Sequence, residues 1–589
     1  MAIIGGPFFG RDRLPAPRSE VGLFVPVEEV FPGTTADERT LVSILETLDR
    51  DDTLFMAARL NTIISGPGDF DVQPRQQQAL STMCSTAQID RVNAFARRHK
   101  AAGVPAVFFR GQLLELMRWT VRHAKCLRGD GATYVSPECR EHFFKAALIA
   151  GSLWGQRVYR GKLTADAPVD EARLKALGAL RKGAEEGNLA PHLGIAIGRG
   201  LKLFTDYLPR HLPEFEDQFR AATGLSVGQY LGCVTALCIY TQQRHKDGPL
   251  FITHTVAAVT AYKDIYPTLF ALESQSPEQL ATSFWRDFDK VGYKVLRERP
   301  IMVTADGRAM ILDPTFFIER ISVGALFHVV KGRSRAESLR IFSAFGDAFE
   351  EYVADTLRRM YPRRTGLVDQ LLFNAKGCDA QGKRFEIDAT QFGVSDAVLI
   401  ETKAVFLRED AIMSENPEDF VAALRKSYGA SRKDKERDKG VAQLARSIGA
   451  IVCGEWTGEH GEFADLPMIY PVLVAHDTRL DAPALGHFLE NEFRALLGPV
   501  PQGKQVAPLT VMTIQDLENL EKSIDNFSLA NLLADYSREC PDRMRSLHNF
   551  IAFSDYGPKI ERNDFLMEAS IGIHDLLIRE LFPAAKAET

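Results

Sequence analysis

Residues 384–403 read RFEIDATQFGVSDAVLIETK, and the organisation of the C-terminal half follows from them. The apolar run 397–400 leads directly into Glu401, and the alternation of a strand places Glu401 and Lys403 on one face. Asp388 ends a strand of its own, upstream in the same stretch. The pattern therefore predicts two neighbouring strands that bring two carboxylates and an ammonium group together.

These three side chains are the chemical groups of a metal-dependent enzyme that hydrolyses phosphate esters. Asp388 and Glu401 supply hard oxygen ligands of the kind that Mg2+ prefers, with positions left for water and a phosphate. Lys403 would lie beside the metal-bound water and stabilise the charge that develops on the phosphoryl group. An ordinary solvated strand edge is the alternative, because an E-x-K tripeptide is common in a chain with 25% charged residues. The apolar run before Glu401 favours a buried strand, where charges persist only when they are paired or metal-bound.

The surrounding pattern resembles the PD-(D/E)xK nuclease superfamily, with its restriction-endonuclease-like fold, over roughly residues 335–515. Upstream, residues 345–353 read FGDAFEEYV, which is similar to the first core helix of the Mrr-like branch and assigns a further acidic residue to Glu350. Downstream, residues 440–445 read GVAQLA and resemble the helix after the catalytic strand, on which many members carry a glutamine.

The resemblance implies five catalytic residues: Asp388, Glu401, Lys403, Glu350 and Gln443. It implies that Asp388, Glu401 and Glu350 bind Mg2+ or Mn2+, and that Gln443 positions Lys403 or the phosphate. A departure from the family pattern is Ile387, which stands where a proline would precede the aspartate, as in many divergent members. For the two helical residues, a solvent-facing position without any catalytic role is the alternative.

Length and charge limit the classes of protein to which the chain can belong. A chain of 589 residues is too long for one hydrophobic core and predicts three or four domains. Its net charge of −6 means that any nucleic acid must be bound by a local basic patch. The segment 425–439 offers such a patch: Arg425, Lys426, Arg432, Lys433, Lys435, Arg437 and Lys439. It is interpreted as a mobile loop that grips phosphates, and a mixed-charge exposed loop is the alternative.

Other signals argue against several classes of protein. Eight cysteines without a C-x-x-C pair indicate reduced thiols in a cytoplasm, and thirteen histidines without H-E-x-x-H provide no zinc site. No signal peptide is visible, and the most apolar stretch is far shorter than the roughly 20 residues that span a bilayer. We therefore expect a cytoplasmic protein without membrane contact. The absence of a phosphate-binding G-x-x-x-x-G-K-[ST] loop argues against ATP-driven translocation by this chain.

The predicted fold class is α+β multidomain: a large, mostly α-helical N-terminal region, an αβββαβ restriction-endonuclease-like domain and a helical C-terminal tail. Helical periodicity dominates up to about residue 290, and Asp306-Gly307 then predicts a tight hairpin. A helix is predicted over 334–360 and strands near 368–375, 384–390, 396–405 and 468–475. The predicted units are a recognition or partner region 1–295, a small β-hairpin linker element 296–333, the nuclease domain 334–515 and the tail 516–589.

The predicted function is hydrolysis of phosphodiester bonds in DNA by a Mg2+-dependent endodeoxyribonuclease. Analogy with Mrr-like nucleases suggests a role in bacterial anti-phage defence or restriction. The N-terminal region is expected to bind a protein partner, a second copy of the chain or nucleic acid. Two alternatives stay open: a non-catalytic scaffold protein that keeps the nuclease fold, and an enzyme that cleaves RNA.

Overall fold

A computed structural model of the chain describes most of its length and shows a mainly helical, mixed α/β protein. The described residues are 24–65, 72–99, 106–126, 137–159, 193–244, 264–286, 293–304, 307–362, 370–380, 384–412, 416–429, 440–458, 466–482, 484–543 and 545–581, with the single residues 180, 382, 414 and 463. Within them lie one mixed sheet of seven strands and one smaller sheet of three strands. Residues 1–23 lie outside the described part.

Helices dominate the described chain up to residue 330. They are α1 (Val27–Val30), α2 (Glu38–Leu45), α3 (Arg50–Ser65), α4 (Val72–Met83), α5 (Thr86–Arg98), α6 (Arg110–His123), α7 (Pro137–Tyr159), α8 (Leu193–Leu201), α9 (Leu208–His211), α10 (Phe215–Thr223), α11 (Val227–Arg244), α12 (Tyr266–Glu273), α13 (Pro277–Arg286), α14 (Lys294–Glu298), α15 (Pro314–Glu319) and α16 (Ala325–Val330). Two short π-helical segments, Lys202–Tyr207 and Arg320–Gly324, join α8 to α9 and α15 to α16.

No single helix among the described residues is both long enough and apolar enough to cross a bilayer. The pair Phe215–Thr223 and Val227–Ile239 meets that condition only jointly, across a bend of 61°.

A three-stranded sheet is formed by short strands that lie between the last of these helices. It contains β1 (Ser274–Gln275), β2 (Ile301–Val303) and β3 (Ala309–Ile311), with β1 parallel and β3 antiparallel to β2. The hairpin predicted from Asp306-Gly307 is confirmed for its strands, and Gly307 has the positive φ of 79° that a tight turn requires. Asp306 itself lies outside the described residues.

The long helix α17 (Arg335–Met360) carries Glu350, and it begins directly after its N-cap residue, Ser334. The Ser334 side chain accepts a hydrogen bond from the backbone of Glu337, and the Glu337 side chain binds the Ser334 backbone in return. Phe345 and Phe349 are fully buried on one side of the helix.

The seven-stranded sheet combines an antiparallel meander with a parallel half. Its strands are β4 (Gln370–Cys378), β5 (Arg384–Phe392), β6 (Asp396–Lys403), β7 (Thr457–Gly458), β8 (Met468–Ala475), β9 (Gln505–Val506) and β10 (Thr510–Thr513). They lie in the order β10-β8-β6-β5-β4-β7, with β9 also paired to β8. Strands β4, β5 and β6 are antiparallel, whereas β8 runs parallel to β6. A parallel return needs a crossover, and a helix between β6 and β8 supplies it.

The remaining helices cover the sheet or extend beyond it. They are α18 (Glu409–Ile412), α19 (Pro417–Tyr428), α20 (Val441–Val452), α21 (Leu485–Leu497), α22 (Ile514–Ser523), α23 (Leu529–Glu539), α24 (Leu547–Ala552) and α25 (Asp564–Leu581). Helices α20 and α21 pack on one face of the sheet, and α17, α22 and α23 pack on the other. The helical tail contacts the sheet through α23 and α24, while α25 packs against α8 and α11.

A buried ion pair links the N-terminal helices to the second face of the sheet. Arg199 of α8 donates two hydrogen bonds of 2.7 Å to the carboxylate of Glu518 on α22. Tyr352 of α17 donates a third hydrogen bond to Glu518, also at 2.7 Å. Both charged side chains are almost completely buried, with exposed fractions of 1% and 0%. A buried charge is tolerated only when it is paired, so these three helices depend on one another.

We expect Arg199→Met to lower the free energy of unfolding by about 3–5 kcal/mol, because it leaves the Glu518 carboxylate buried and unpaired. The double variant Arg199→Met, Glu518→Met removes both charges and regains most of the loss. Chemical denaturation followed by circular dichroism measures the difference. Equal stability of the single and double variants would contradict the coupling.

Candidate active site

The site lies where strands β5 and β6 separate. Their ladder of paired residues ends at Ala389 and Ile400. Beyond that pair, the Asp388 carboxylate accepts hydrogen bonds from the Thr402 backbone N–H at 2.6 Å and from its hydroxyl at 2.8 Å. A side chain thus takes the place of a strand-to-strand backbone bond, and the two strands open around it.

The alternation of β5 also changes at this point. Ile387 and Ala389 are two residues apart, a spacing that normally places side chains on one face. Ile387 nevertheless packs into the core beneath α20, whereas Ala389 packs into the core beneath α17. Asn374, which lies opposite Asp388 in the register, has a left-handed φ of 54°. The distortion of the pleat at Asp388 therefore extends across two strands.

Glu401 and Lys403 form a buried ion pair at the end of β6. The Lys403 ammonium donates to Glu401 Oε1 at 2.5 Å and to the Thr402 carbonyl at 3.0 Å. The Glu401 side chain is 1% exposed, and the Lys403 side chain is 20% exposed. Glu401 Oε2 is buried and has no hydrogen-bond partner among the described residues. The solvated strand edge considered above is thus wrong for Glu401.

Electrostatic coupling shows that Glu350 belongs to the same cluster. Burial raises the pKa of Glu350 to about 7, and the charge of Asp388 contributes. Burial also raises the pKa of Glu401 to about 8; Asp388 and Glu350 add to the rise, while Lys403 opposes it. Burial lowers the pKa of Lys403, but Glu401 and Asp388 outweigh it and raise the pKa overall. The structure therefore brings these four predicted residues together.

Gln443 contacts the site through the backbone of β5. It lies in the first turn of α20, and its side-chain amide donates to the carbonyl oxygen of Glu386 at 2.9 Å. Glu386 comes two residues before Asp388 on the same strand. This contact holds the strand that carries Asp388. The predicted role of Gln443 in positioning Lys403 or a phosphate stays a prediction.

The carboxylates suit a divalent cation chemically but do not form a finished cage for it. Among the residues that the structure describes, no group of three or more His, Cys, Asp or Glu side chains is placed to hold one ion. Carboxylate oxygens are the donors that Mg2+ prefers, and Glu401 Oε2 is a buried oxygen without a partner. A site formed by Asp388 and Glu401 with water therefore fits better than the predicted three-carboxylate set that includes Glu350.

The predicted basic segment is only partly described. Arg425 and Lys426 lie in the last turn of α19 rather than in a loop. Arg425 donates to Glu492 of α21 at 2.7 Å, so its charge is already neutralised, whereas Lys426 is exposed. The other predicted phosphate contacts lie outside the described residues: Arg432, Lys433, Lys435, Arg437 and Lys439.

The sequence analysis missed His476, which follows β8 directly. Its backbone N–H donates to the carbonyl oxygen of Lys403 at 3.0 Å. Its ring contacts the rings of Phe345 and Phe349 on α17, with centroids 5.1 and 5.2 Å away. Burial lowers the pKa of His476 to about 3, so the ring is neutral at pH 7. His476 therefore joins the strand of Lys403 to the helix of Glu350. In the sequence, its position directly after an apolar strand was the feature that could have identified it.

Comparison with known proteins identifies no relative of this chain. No protein-family model, no curated protein and no solved structure matches the chain. The interpretation of the site therefore depends on the geometry and the sequence pattern of this chain.

We expect the unfolding free energy to fall as pH rises from about 5 to 8 when a chelator is present. Between the ordinary pKa of 4.5 and the folded value of about 8, Glu401 keeps a proton in the folded state that the unfolded chain has released. The loss is on the order of 2–4 kcal/mol. Denaturant titrations at several pH values measure it.

Glu401→Gln serves as the control for this prediction, because the amide is similar in shape and does not titrate. The variant is expected to show a shallower pH dependence over the same range. An identical slope for both proteins would show that Glu401 is not the group responsible.

Proposed function

We propose that the chain is a divalent-cation-dependent nuclease of the PD-(D/E)xK type that hydrolyses phosphodiester bonds of DNA. The observation that carries the proposal is the buried Glu401 carboxylate, paired with Lys403 and adjacent to Asp388, where two strands open. Strongly raised pKa values of neighbouring carboxylates are typical of functional sites. A purely structural ion pair would not need a second carboxylate and an oxygen without a partner beside it.

The strand order supports the same proposal. A helix carrying Glu350 precedes an antiparallel meander of three strands, and helix α20 then crosses to the parallel strand β8. This succession is the αβββαβ arrangement expected of a restriction-endonuclease-like domain. Glu350 lies on α17, Asp388 on β5, Glu401 and Lys403 on β6, and Gln443 on α20.

In the proposed mechanism, Asp388 and Glu401 would hold the cation, which when bound supplies an acidified water and neutralises phosphate charge. Lys403 stays protonated at neutral pH, and its ammonium group is held by Glu401 and the Thr402 carbonyl so that its charge can stabilise a phosphate. Glu350 has a pKa of about 7, which suits its carboxylate to take up or release a proton at neutral pH. Gln443 and His476 position strands β5 and β6.

The biological setting belongs to the same proposal. By analogy with Mrr-like nucleases, cleavage would serve anti-phage defence or restriction, with the N-terminal helices binding a partner, a second copy or nucleic acid.

One observation favours a second function, that of a non-catalytic module with a nuclease fold. Asp388 Oδ2 is already occupied by two hydrogen bonds from Thr402, and no three-ligand metal cluster occurs among the described residues. A protein that uses the fold only for docking would show the same engaged carboxylate. Direct assay of cleavage separates the two functions.

We expect the purified chain to cleave plasmid DNA with Mg2+ or Mn2+ and to be inactive with a chelator. Asp388→Asn, Glu401→Gln and Lys403→Ala should each lower the cleavage rate about 10²–10³-fold, because each removes a charge that acts on the phosphate or its cation. Parallel incubations with single-stranded DNA and RNA identify the substrate class.

Glu351→Ala is the matched control for Glu350→Ala on the same helix. Glu351 pairs with Arg210 and His211 at the surface, so its loss should leave the rate unchanged, whereas loss of Glu350 lowers it. If all variants cleave like the unaltered chain, a contaminating nuclease is responsible and the proposal fails.

We expect Gln443→Ala to raise the Mg2+ concentration needed for half-maximal cleavage by about tenfold, as for other residues that support metal ligands. The physical reason is that the variant frees the Glu386 carbonyl and loosens the strand that carries Asp388. A metal titration of the cleavage rate measures the shift. An unchanged metal requirement would show that this hydrogen bond is unimportant for the site.

A further inference from the structure

An exposed aromatic surface lies beside the candidate site. The Phe327 side chain is 38% exposed, and Leu339 on the next helix is 59% exposed. The Phe327 ring lies 5.5 Å from the ring of Phe406 and 6.2 Å from that of Phe342, measured between centroids. Phe342 and Phe406 are partly buried, so Phe327 is the exposed ring of this aromatic cluster. An exposed phenylalanine that extends such a cluster to the surface is a common feature of binding sites.

A basic segment follows Phe327 in the chain. Residues 331–335 read KGRSR and connect α16 to α17, and the segment 331–340 contains four basic residues against one acidic residue. Arg333 pairs with Glu337, and Arg340 pairs with Glu214. Lys331 and Arg335 are exposed. We call the group Phe327, Lys331, Arg335, Leu339, Phe342 and Phe406 the aromatic-basic surface.

The aromatic-basic surface is continuous with the candidate site along two paths. Phe406 follows Lys403 by three residues. On α17, the residues Leu339, Ser343, Gly346 and Glu350 recur every three or four positions and therefore lie along one side of the helix. The space beside the Gly346 α-carbon is open, with no atom within 4 Å of an added Cβ. From Leu339 to Glu350 the helix rises about 16 Å, so an extended ligand can reach from one to the other.

We propose that the aromatic-basic surface binds single-stranded nucleic acid and leads it towards the cluster of Asp388, Glu401 and Lys403. Exposed rings stack on the faces of unpaired bases, and neighbouring cations contact the phosphates. A duplex hides its base faces within the stack, which is why the combination favours a single strand. The delivery to the cluster rests on the proposed nuclease function, whereas the binding itself does not.

The test is fluorescence anisotropy with a labelled oligothymidine of about 15 nucleotides, a length within the range that single-strand-binding surfaces cover. Chelator is present, so cleavage plays no part. Phe327→Ala should weaken binding about tenfold, as expected for the loss of one stacked base, and Phe327→Trp should restore it. Lys331→Glu with Arg335→Glu should weaken binding and make the slope of log affinity against log salt shallower by about 1.4.

Phe553→Ala is the matched control, because Phe553 is 36% exposed and lies on the C-terminal tail. Its affinity for the oligonucleotide should equal that of the unaltered chain. Unchanged binding by Phe327→Ala and by the charge-reversed variant would overturn the inference. So would binding to phosphatidylserine vesicles without binding to the oligonucleotide.

The outcome for the surface is separable from that for the enzyme. Suppose that the chain cleaves DNA with Mg2+ but that Phe327→Ala changes neither oligonucleotide binding nor cleavage. The nuclease proposal then stands, and the proposal that the aromatic-basic surface binds single strands fails. If the oligonucleotide binds through this surface in chelator and Mg2+ produces no cleavage, the binding proposal stands and the nuclease proposal fails.

Discussion

Burial of the Glu401 carboxylate is the constraint on which the candidate site depends. Burial of a carboxylate that is 1% exposed disfavours its charged form, and the Lys403 ammonium, 2.5 Å away, offsets that effect only in part. Asp388 and Glu350 lie near enough to raise the pKa of Glu401, so the cluster carries more carboxylates than its one ammonium group can neutralise. A second positive charge, from a proton or a cation, is the natural way to balance them.

The surrounding structure holds this strained cluster in place from several directions. His476 joins β6 to α17, and Gln443 holds β5 from the opposite face of the sheet. Beyond β6, Arg297 of α14 pairs with Glu409 at 2.7 Å and links the chain after the strand of Glu401 and Lys403 to the N-terminal helices.

Local patterns predicted the elements best where they were both regular and apolar. The strand expected over 468–475 is confirmed as Met468–Ala475, and the helix expected over 334–360 begins with its capping box at Ser334. Patterns were less informative where tertiary contacts decide burial. Helix α6, for example, is buried on all sides from Gly111 to Val121. The pairing of Arg425 with Glu492, which lies 67 residues away in the chain, is a further example.

The sequence by itself determined which strands and helices form and which residues carry carboxylates, because alternation, capping and apolar runs act between near neighbours in the chain. Only the tertiary structure decided that Asp388 binds Thr402, that Glu401 loses its water and that His476 lies against α17. Those outcomes depend on which surfaces meet when the sheet closes against its helices. Burial and charge coupling arise there from residues far apart in the chain, so no local pattern encodes them.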